Sequence, residues 1–187
     1  MKKIAFLAAA ACAALATPAM AQNVTGTITL NGNVGAKCTV TSAPAGATFA
    51  QTVNFGELAQ ANGTLRTGLA TDFSTTPVQA TVVCNTGMPK VAVDANPMVN
   101  AATAPAGYAN TINYTASVAV AAVGANAGPF TNATTAAPGA ATAVGSALAN
   151  TTNNVVITTT GYATPGASDI LVAGGYTGNI VVVISPN

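Results

Sequence analysis

The sequence predicts an all-β protein. Apolar and polar residues alternate with period two in several segments, and runs rich in Val, Ile and Thr are bounded by Gly, Pro and Asn. No long segment combines a helical apolar spacing with helix caps. We therefore expect strands joined by turns along the whole chain after the first 21 residues.

The predicted strands follow one another with short turn sequences between them. Turns are indicated by Asn62-Gly63 and Pro165-Gly166, among others. The predicted strands span residues 24–34, 37–41, 51–58, 77–84, 90–94, 111–121, 154–160 and 179–185. Residues 123–152 are a low-complexity tract of Ala, Gly, Thr, Asn and Pro, which predicts a surface excursion that is partly disordered or contains a short hairpin.

The first 21 residues have the order of a secretory signal peptide. Lys2 and Lys3 precede an apolar run, and a small-x-small cleavage site ends at Ala21. The apolar run is shorter than the ~20 residues that a spanning helix needs. We expect export of the chain and cleavage after Ala21. A lipoprotein signal at Cys12 is disfavoured because the residues before it lack the usual Leu.

Charge is scarce in this chain. Charged residues make up 5% of it, against about 25% in an ordinary soluble domain, and His is absent. The acids are scattered, and without imidazole the common catalytic bases and metal ligands are missing. No basic stripe exists for nucleic acid or for an anionic membrane surface. We expect no enzyme activity, no catalytic or metal site and no cofactor.

The mature chain keeps two cysteines, Cys38 and Cys84. Two cysteines in an exported chain predict one disulfide. Two unpaired thiols are the alternative. A metal site is less favoured, because two thiolates without His or nearby acids fill half of a tetrahedral shell.

The most regular alternation lies directly after the signal peptide, over residues 24–34. Threonines and asparagines occupy the odd positions. The even positions form the apolar face: Val24, Gly26, Ile28, Leu30, Gly32 and Val34. Alternation alone favours an ordinary first strand that pairs within its own domain.

A second informative segment is the apolar run 179–185, after which the sequence stops at Pro186-Asn187. A continuous apolar run is typical of a strand buried on both faces. We expect no further sequence to cover the far side of this strand. If its neighbouring position stays empty, the domain displays an apolar groove bordered by unpaired backbone groups, which a strand from another molecule could fill.

The order of these segments resembles the spore coat protein U domain family, the pilins of the archaic chaperone-usher pathway. The resemblance covers nearly all of the mature chain. It rests on the alternating leader 24–34, on Cys38-Thr39-Val40, on Val53-Asn54-Phe55-Gly56-Glu57-Leu58, on Val82-Val83-Cys84-Asn85-Thr86-Gly87 and on the ending from Gly175-Tyr176-Thr177-Gly178 to Pro186. The Ala- and Thr-rich tract before Asn153 and the very low charge depart from the family pattern.

The resemblance implies an incomplete immunoglobulin-like β-sandwich of the pilin type, covering residues 36–187, with an N-terminal donor-strand extension at residues 22–35. It implies a Cys38–Cys84 bridge. The implied donor residues are Val24, Gly26, Ile28, Leu30 and Val34. The implied acceptor and chaperone-contacting residues are Ile180, Val182, Ile184 and Asn187.

The implied function is that of a structural subunit of a surface pilus that supports attachment and biofilm growth. A periplasmic chaperone would fill the groove first. At the outer-membrane usher, the leader of the next subunit would replace the chaperone strand. The implied partners are therefore the chaperone, the usher and further copies of the chain. The protein would be periplasmic in transit and then part of a cell-surface fibre, open-ended because head-to-tail contacts do not close.

Three other classes of protein remain as alternatives. An amyloid-like extracellular matrix fibre is indicated by the uncharged Asn- and Thr-rich tracts. A small outer-membrane β-barrel accounts for export and alternation, but the aromatic residues are too few for two interfacial girdles. A secreted hydrolase ranks last because His is absent. For Tyr176 we expect a structural role at the start of a strand.

Overall fold

The structure, a computed structural model, describes residues 25–42, 48–76 and 78–187. The predicted signal peptide at residues 1–21 and the first donor residue, Val24, lie outside the described residues.

The chain divides into two units, Met1–Val34 and Gly35–Asn187. In the first unit, the described residues 25–34 form neither helix nor strand, and all are exposed. The strand predicted over residues 24–34 is therefore absent from its described part. A strand is stabilised by the ladder that it forms with a neighbour, and alternation alone supplies no neighbour.

The second unit is built from strands, with one short helix among its described residues. In chain order its elements are β1 (Cys38–Val40), α1 (Leu69–Thr75), β2 (Val78–Ala80), β3 (Val82–Cys84), β4 (Lys90–Val99), β5 (Tyr108–Ala109), β6 (Thr111–Ala121), β7 (Asn126–Ala133), β8 (Thr142–Ala143), β9 (Val155–Ala163), β10 (Ile170–Leu171) and β11 (Thr177–Ser185). The all-β prediction is confirmed. So are the predicted strands at 37–41, 90–94, 111–121, 154–160 and 179–185, with different ends. The single strand predicted over 77–84 is instead two strands, β2 and β3, which pair with β9 and β1.

The strands form a sandwich-like arrangement around one core. The main path of paired strands is β11–β4–β6–β9–β2. β4 and β6 pair only at Met98↔Ile112 and Val99↔Thr111, so the path bends there. Beyond this corner, β7 takes the place beside β6 and β8 takes the place beside β4. The β1–β3 pair and the β5–β10 pair complete the unit.

The core is formed by the inward positions of the long strands. In β6 the even positions are buried, and Ile112, Ala116 and Val118 are each 0% exposed. Val91 and Val93 of β4 belong to the same cluster. This clean alternation is what antiparallel strands show when one face meets the core and the other meets solvent.

The strand predicted over residues 51–58 is wrong. The segment is irregular, although Val53 and Phe55 still pack against the core. Its backbone bonds to a side chain instead of a strand: the Arg66 guanidinium donates to the Phe55 carbonyl at 3.0 Å and to the Glu57 carbonyl. Arg66 also pairs with Asp72 of α1. Two carbonyls of this segment are thus held by a side chain, and the segment forms no ladder.

The prediction of a surface excursion over residues 123–152 is wrong for its central part. β7 pairs with β6 from Ala121↔Asn126 to Thr115↔Ala133. The buried Asn132 side chain accepts a hydrogen bond from Ala95 N at 2.9 Å, and Gly139 N donates to Val93 O at 2.9 Å. A Cβ at Gly139 would lie 2.7 Å from Val93 O, so the close approach to β4 requires glycine.

The helix α1 was not predicted, because its seven residues are too few for a periodic pattern. The sequence pattern that indicates this helix is one apolar i, i+4 pair, Leu69 and Phe73, which are 1% and 6% exposed. The helix thus contributes two apolar side chains to the interior.

The predicted disulfide is confirmed. Cys38 and Cys84 are bonded and face each other across the β1–β3 ladder. With a sequence separation of 46 between its cysteines, the bridge is worth about 4 kcal/mol in the chain-entropy model. Asn85 adds two hydrogen bonds on the same side, accepting from Lys37 N at 2.7 Å and donating to Gly35 O at 2.8 Å. β1 is therefore held firmly although it has only three residues.

The side chain of Asn154 takes the place of a neighbouring strand beside β3, because it bonds to the backbone of Val82. It is 1% exposed, accepts from Val82 N at 2.8 Å and donates to Val82 O at 2.7 Å. A third bond joins it to Ala149 O at 2.8 Å. One amide side chain therefore satisfies both backbone groups of a buried β3 residue, which would be costly to leave unpaired.

Replacing Asn154 with Ala is expected to lower the free energy of unfolding by about 1–3 kcal/mol, because Val82 N–H and C=O would be buried without partners. Urea denaturation of the mature chain measures this. The matched control is Asn150→Ala at an exposed position, for which we expect no change. Equal stability of the two variants would contradict the assignment.

Candidate functional site

The main path of paired strands ends, among the described residues, at the three-residue β2 and at the nine-residue β11. The outer edge of β11 is the longer of these two edges. β11 pairs with β4 from Thr177↔Val99 to Ser185↔Lys90, and among the described residues no strand pairs with its other edge. The other edge of β4, in contrast, is covered by β6, Gly139 and β8. An antiparallel edge strand presents a row of N–H and C=O groups that can template a further strand.

Burial alternates along β11. Ile180, Val182 and Ile184 are half-buried and pack against the core, whereas Val181 and Val183 are 45% and 52% exposed. The expectation that this run is buried on both faces is therefore wrong. The continuous apolar sequence forms an edge strand with one inward face, and the side chains on that face are only partly buried.

Two adjoining cavities run along β11 on this inward face. The first has a volume of about 430 Å³ and lies between β1, including Cys38 and Val40, and residues 180–184. The second has a volume of about 580 Å³ and is lined by the start of β11, by residues 49–55 and by aromatic side chains. Phe49 and Ile180 line both cavities, so the two meet there. We call the pair of cavities the β11 groove.

Aromatic rings line the larger cavity. Tyr114 and Tyr162 stack with ring centroids 5.4 Å apart, and Phe55 meets Tyr162 edge-on at 5.7 Å. The Tyr114 hydroxyl lies 2.8 Å from the Asn96 carbonyl oxygen and 3.0 Å from that of Asn179 and can donate to either. It thus braces β4 and β11 where their register shifts, beside Asn179.

Burial of these rings raises the pKa of their hydroxyl groups. Burial, with smaller contributions from Tyr162 and Asp94, raises the pKa of Tyr114 to about 12. Burial also raises the pKa of Tyr162, opposed by the hydrogen bond with Thr159. The tyrosines therefore stay neutral at physiological pH, and the groove carries no charge from them.

Tyr176 has a structural role, as predicted. It lies one residue before β11, and its hydroxyl is 2.8 Å from the Ala109 carbonyl oxygen and 3.0 Å from that of Val172. It fixes the approach of the chain to β11 and lines the larger cavity.

The lining of the β11 groove is uncharged. None of the described residues that line either cavity is Lys, Arg, Asp or Glu. In the described part of the chain, no group of three or more His, Cys, Asp or Glu side chains could hold a metal ion. No helix within the described ranges has the length and apolar character to cross a membrane. The site offers apolar surface and the backbone hydrogen-bonding groups of β11.

The residues that the sequence singles out as an acceptor surface do come together in part. Ile180, Val182 and Ile184 line the β11 groove on one side and Cys38 lines it on the other. Asn187 lies beyond the end of β11 and is exposed. It does not line either cavity.

The residues singled out as a donor surface are described from Gly26 onwards. Ile28, Leu30 and Val34 are 86%, 89% and 80% exposed. Gly26 has nothing within 4 Å of the position of a Cβ. Large apolar side chains at this exposure are a surface that favours burial in a partner.

Sequence reasoning missed the residues that shape the larger cavity. Phe49, Tyr114 and Tyr162 gave no signal, because single aromatic residues in strand-like sequences are ordinary core residues. The irregular path of residues 49–55, which brings Phe49 to the groove, is set by tertiary contacts.

Comparison of the chain with family models, with curated proteins and with solved structures found no match.

The raised tyrosine pKa values predict a loss of stability in alkali. The pKa of Tyr114 is higher in the folded state than the ordinary value of 10.0, so the proton is held more tightly when the chain is folded. This contribution is complete below about pH 10 and is lost as the pH rises towards 12. We expect the urea midpoint to be constant up to pH 10 and to fall above it.

Tyr114→Phe is expected to show a shallower fall, from a lower starting stability. Tyr108→Phe, at a side chain that is 43% exposed, is the control and should follow the wild type. A urea midpoint that stays constant to pH 12 in the wild type would contradict the prediction.

Proposed function

We propose that this chain is a structural subunit of a surface fibre, in which residues 24–34 of one copy add a strand to the β11 edge of the next. The observation that carries the proposal is the unpaired outer edge of β11 above a half-buried apolar surface. β-strand addition takes place at edge strands of this kind. In this mode of binding the backbone supplies affinity and alternate side chains supply specificity.

The chemistry of the donor matches that of the acceptor. Residues 25–34 contain no charged residue, and neither cavity of the groove is lined by one. The apolar positions of the donor recur every second residue, which is the spacing at which β11 presents Ile180, Val182 and Ile184. An added strand would bring these two apolar rows together.

The energy available is large for a short segment. Burying one large aliphatic side chain contributes about 1.5–3 kcal/mol as an upper bound. Ile28, Leu30 and Val34 are all more than three-quarters exposed in the free chain, so almost all of this gain remains available. Each new backbone hydrogen bond adds about 0.5–1.5 kcal/mol.

The contact is heterologous, since the donor and the acceptor are different surfaces of the same chain. A heterologous contact that does not close into a ring produces an open filament. The expected product is therefore a fibre of one repeating subunit.

The resemblance to the archaic chaperone-usher pilins extends this proposal. On that reading, a periplasmic chaperone covers the β11 edge before assembly, and an outer-membrane usher exchanges the chaperone for the next donor. The signal peptide at 1–21 directs export, the sandwich is an incomplete immunoglobulin-like fold, and the finished pilus supports attachment and biofilm growth. The ordered motifs and the open edge support this reading together.

Ile28→Asp is expected to abolish fibre formation, because it places a charge in an apolar groove. The mature chain carrying it should stay folded, since residue 28 is 86% exposed in the free chain. Assembly is measured by sedimentation and electron microscopy. Thr29→Asp is the matched control, on the opposite face of the donor, and should assemble normally.

Wild-type assembly by the Ile28→Asp variant would contradict the proposal. Fibres that bind amyloid dyes and form from either variant would instead identify the amyloid alternative, which requires no donor strand.

Assembled fibres are expected to resist salt. At about 1 M salt the screening length falls to roughly 3 Å, which weakens exposed ion pairs but leaves apolar burial intact. Because donor and groove are uncharged, fibres moved from low salt to about 1 M NaCl should not dissociate. Release of monomer under these conditions, measured by sedimentation, would show that ionic contacts hold the subunits.

A further inference from the structure

The chain contains two Asn-Gly pairs, Asn31-Gly32 and Asn62-Gly63. In such a pair the backbone nitrogen of the glycine can attack the side-chain carbonyl carbon of the asparagine. Glycine favours this attack because it has no Cβ in the way and few limits on its backbone angles. The two pairs have the same sequence, so their surroundings decide which of them reacts.

The pair Asn62-Gly63 is held in a turn that prevents this attack. The Asn62 side-chain oxygen accepts hydrogen bonds from Thr64 N at 3.1 Å and from Thr64 Oγ1 at 2.8 Å. Gly63 N, the attacking atom, donates to Gln60 O at 2.9 Å, and Gly63 O accepts from Leu171 N at 2.9 Å. Both reacting groups are therefore fixed, and the turn has to open before they can meet.

The pair Asn31-Gly32 lacks these restraints. Both residues are exposed, and the described residues 25–34 form neither helix nor strand. In the part of the chain that the structure describes, the Asn31 side chain has no hydrogen-bond partner, and a Cβ at Gly32 would meet nothing within 4 Å. Asn62 is exposed as well, so the hydrogen bonds and not the exposure distinguish the two pairs.

We propose that Asn31 is a site of spontaneous deamidation in the unassembled subunit. Gly32 N forms a bond to Cγ of Asn31, and the side-chain nitrogen leaves as ammonia with the proton of the Gly32 N–H, so that a cyclic succinimide remains. A water molecule then opens the ring. Breaking the new N–Cγ bond leaves aspartate at position 31, whereas breaking the original peptide bond leaves isoaspartate, in which the main chain runs through the side-chain carbons.

Isoaspartate at position 31 removes the ability of the segment to act as a donor. It lengthens the main chain by one methylene group, so the residues before and after it no longer share one alternation. Ile28 and Leu30 then cannot face a groove together with Val34. Aspartate leaves the backbone unchanged and places its charge on the polar face. This consequence rests on the proposed function, because it assumes that residues 24–34 form the added strand.

Assembly protects the same site. A paired strand has fixed backbone angles, so Gly32 N cannot turn towards the side chain of Asn31. A subunit that stays unassembled therefore loses its competence with time, whereas one that has joined a fibre keeps its donor intact.

The first measurement compares the two pairs in the Ile28→Asp variant of the mature chain, which is expected to stay monomeric. After incubation at mildly alkaline pH the chain is denatured, reduced and digested with trypsin, which places the two pairs in the separate peptides 22–37 and 38–66. Mass spectrometry then follows each conversion. We expect Asn31 to react at least about tenfold faster than Asn62, whose hydrogen bonds must first break.

Gly32→Ala, added to Ile28→Asp, is the matched control. Its methyl group should slow the conversion of Asn31 and leave that of Asn62 unchanged, because a Cβ at Gly32 touches nothing in the free chain. Equal rates at Asn31 and Asn62 would overturn the proposed site. This comparison does not depend on the role of the segment as a donor.

The second measurement follows assembly of the wild-type chain, which is aged below the concentration at which fibres form and then concentrated. The fibre yield should fall in step with the isoaspartate content. Treatment with a protein isoaspartyl methyltransferase and S-adenosylmethionine, which converts isoaspartate to aspartate, should restore most of the yield. Aged Asn31→Gln and freshly prepared Asn31→Asp should both assemble like the fresh wild type.

The two failures can be told apart. An aged wild type that assembles normally despite a high isoaspartate content, or fibres in which Asn31 converts as fast as in the monomer, would overturn the consequence for assembly. A block in fresh Asn31→Asp would assign the loss to charge and overturn the role of the lengthened backbone. Assembly of Ile28→Asp at the wild-type level contradicts the proposed function instead, and the comparison of Asn31 with Asn62 still decides whether the site exists.

Discussion

The outer edge of β11, which pairs with no strand among the described residues, is the constraint on which the other features of this molecule depend. A sheet edge with exposed backbone groups usually ends in charges, a proline or a bulge that prevents further pairing. The bulge at Gly178 lies only at the start of β11, and residues 180–184 are uncharged and apolar. The far edge of β4 is covered by hydrogen bonds from Asn132 and Gly139 and by pairing with β8. The open edge is therefore a local property of one strand, beside a well-covered neighbour.

An open groove needs walls that do not collapse into it. β1 forms one wall with three residues, too few to be stable alone, and the Cys38–Cys84 bond and the side chain of Asn85 attach it to β3 and the following turn. At the other end of the groove, Tyr114 bridges the carbonyls of Asn96 and Asn179 and holds the start of β11. The covalent and buried polar contacts thus fix the elements on either side of the groove.

Sequence periodicity predicted the elements whose environment is simple. Strands such as β6 alternate because one face meets the core throughout, so the pattern and the structure coincide. Residues 51–58 carry similar alternation but form no ladder, and two of their carbonyls are held by Arg66, which lies 9 and 11 residues further along the chain. β7 is built from small residues in a tract that resembles a loop, and its pairing depends on the neighbouring β6. Ile180, Val182 and Ile184, which line the groove, were singled out from the order of motifs, whereas the position of Phe49 depends on an irregular path that no local pattern encodes.

The scarcity of charge determines how such a surface can be selective. Complementary charges commonly select one partner and reject others. Charged residues make up only 5% of this chain and none of the described residues that line the groove is charged, so charge complementarity cannot select a partner here. Hydrophobic burial is non-directional and would accept any apolar strand. Shape must then provide the discrimination, through the fit of alternate side chains of an added strand to the two cavities.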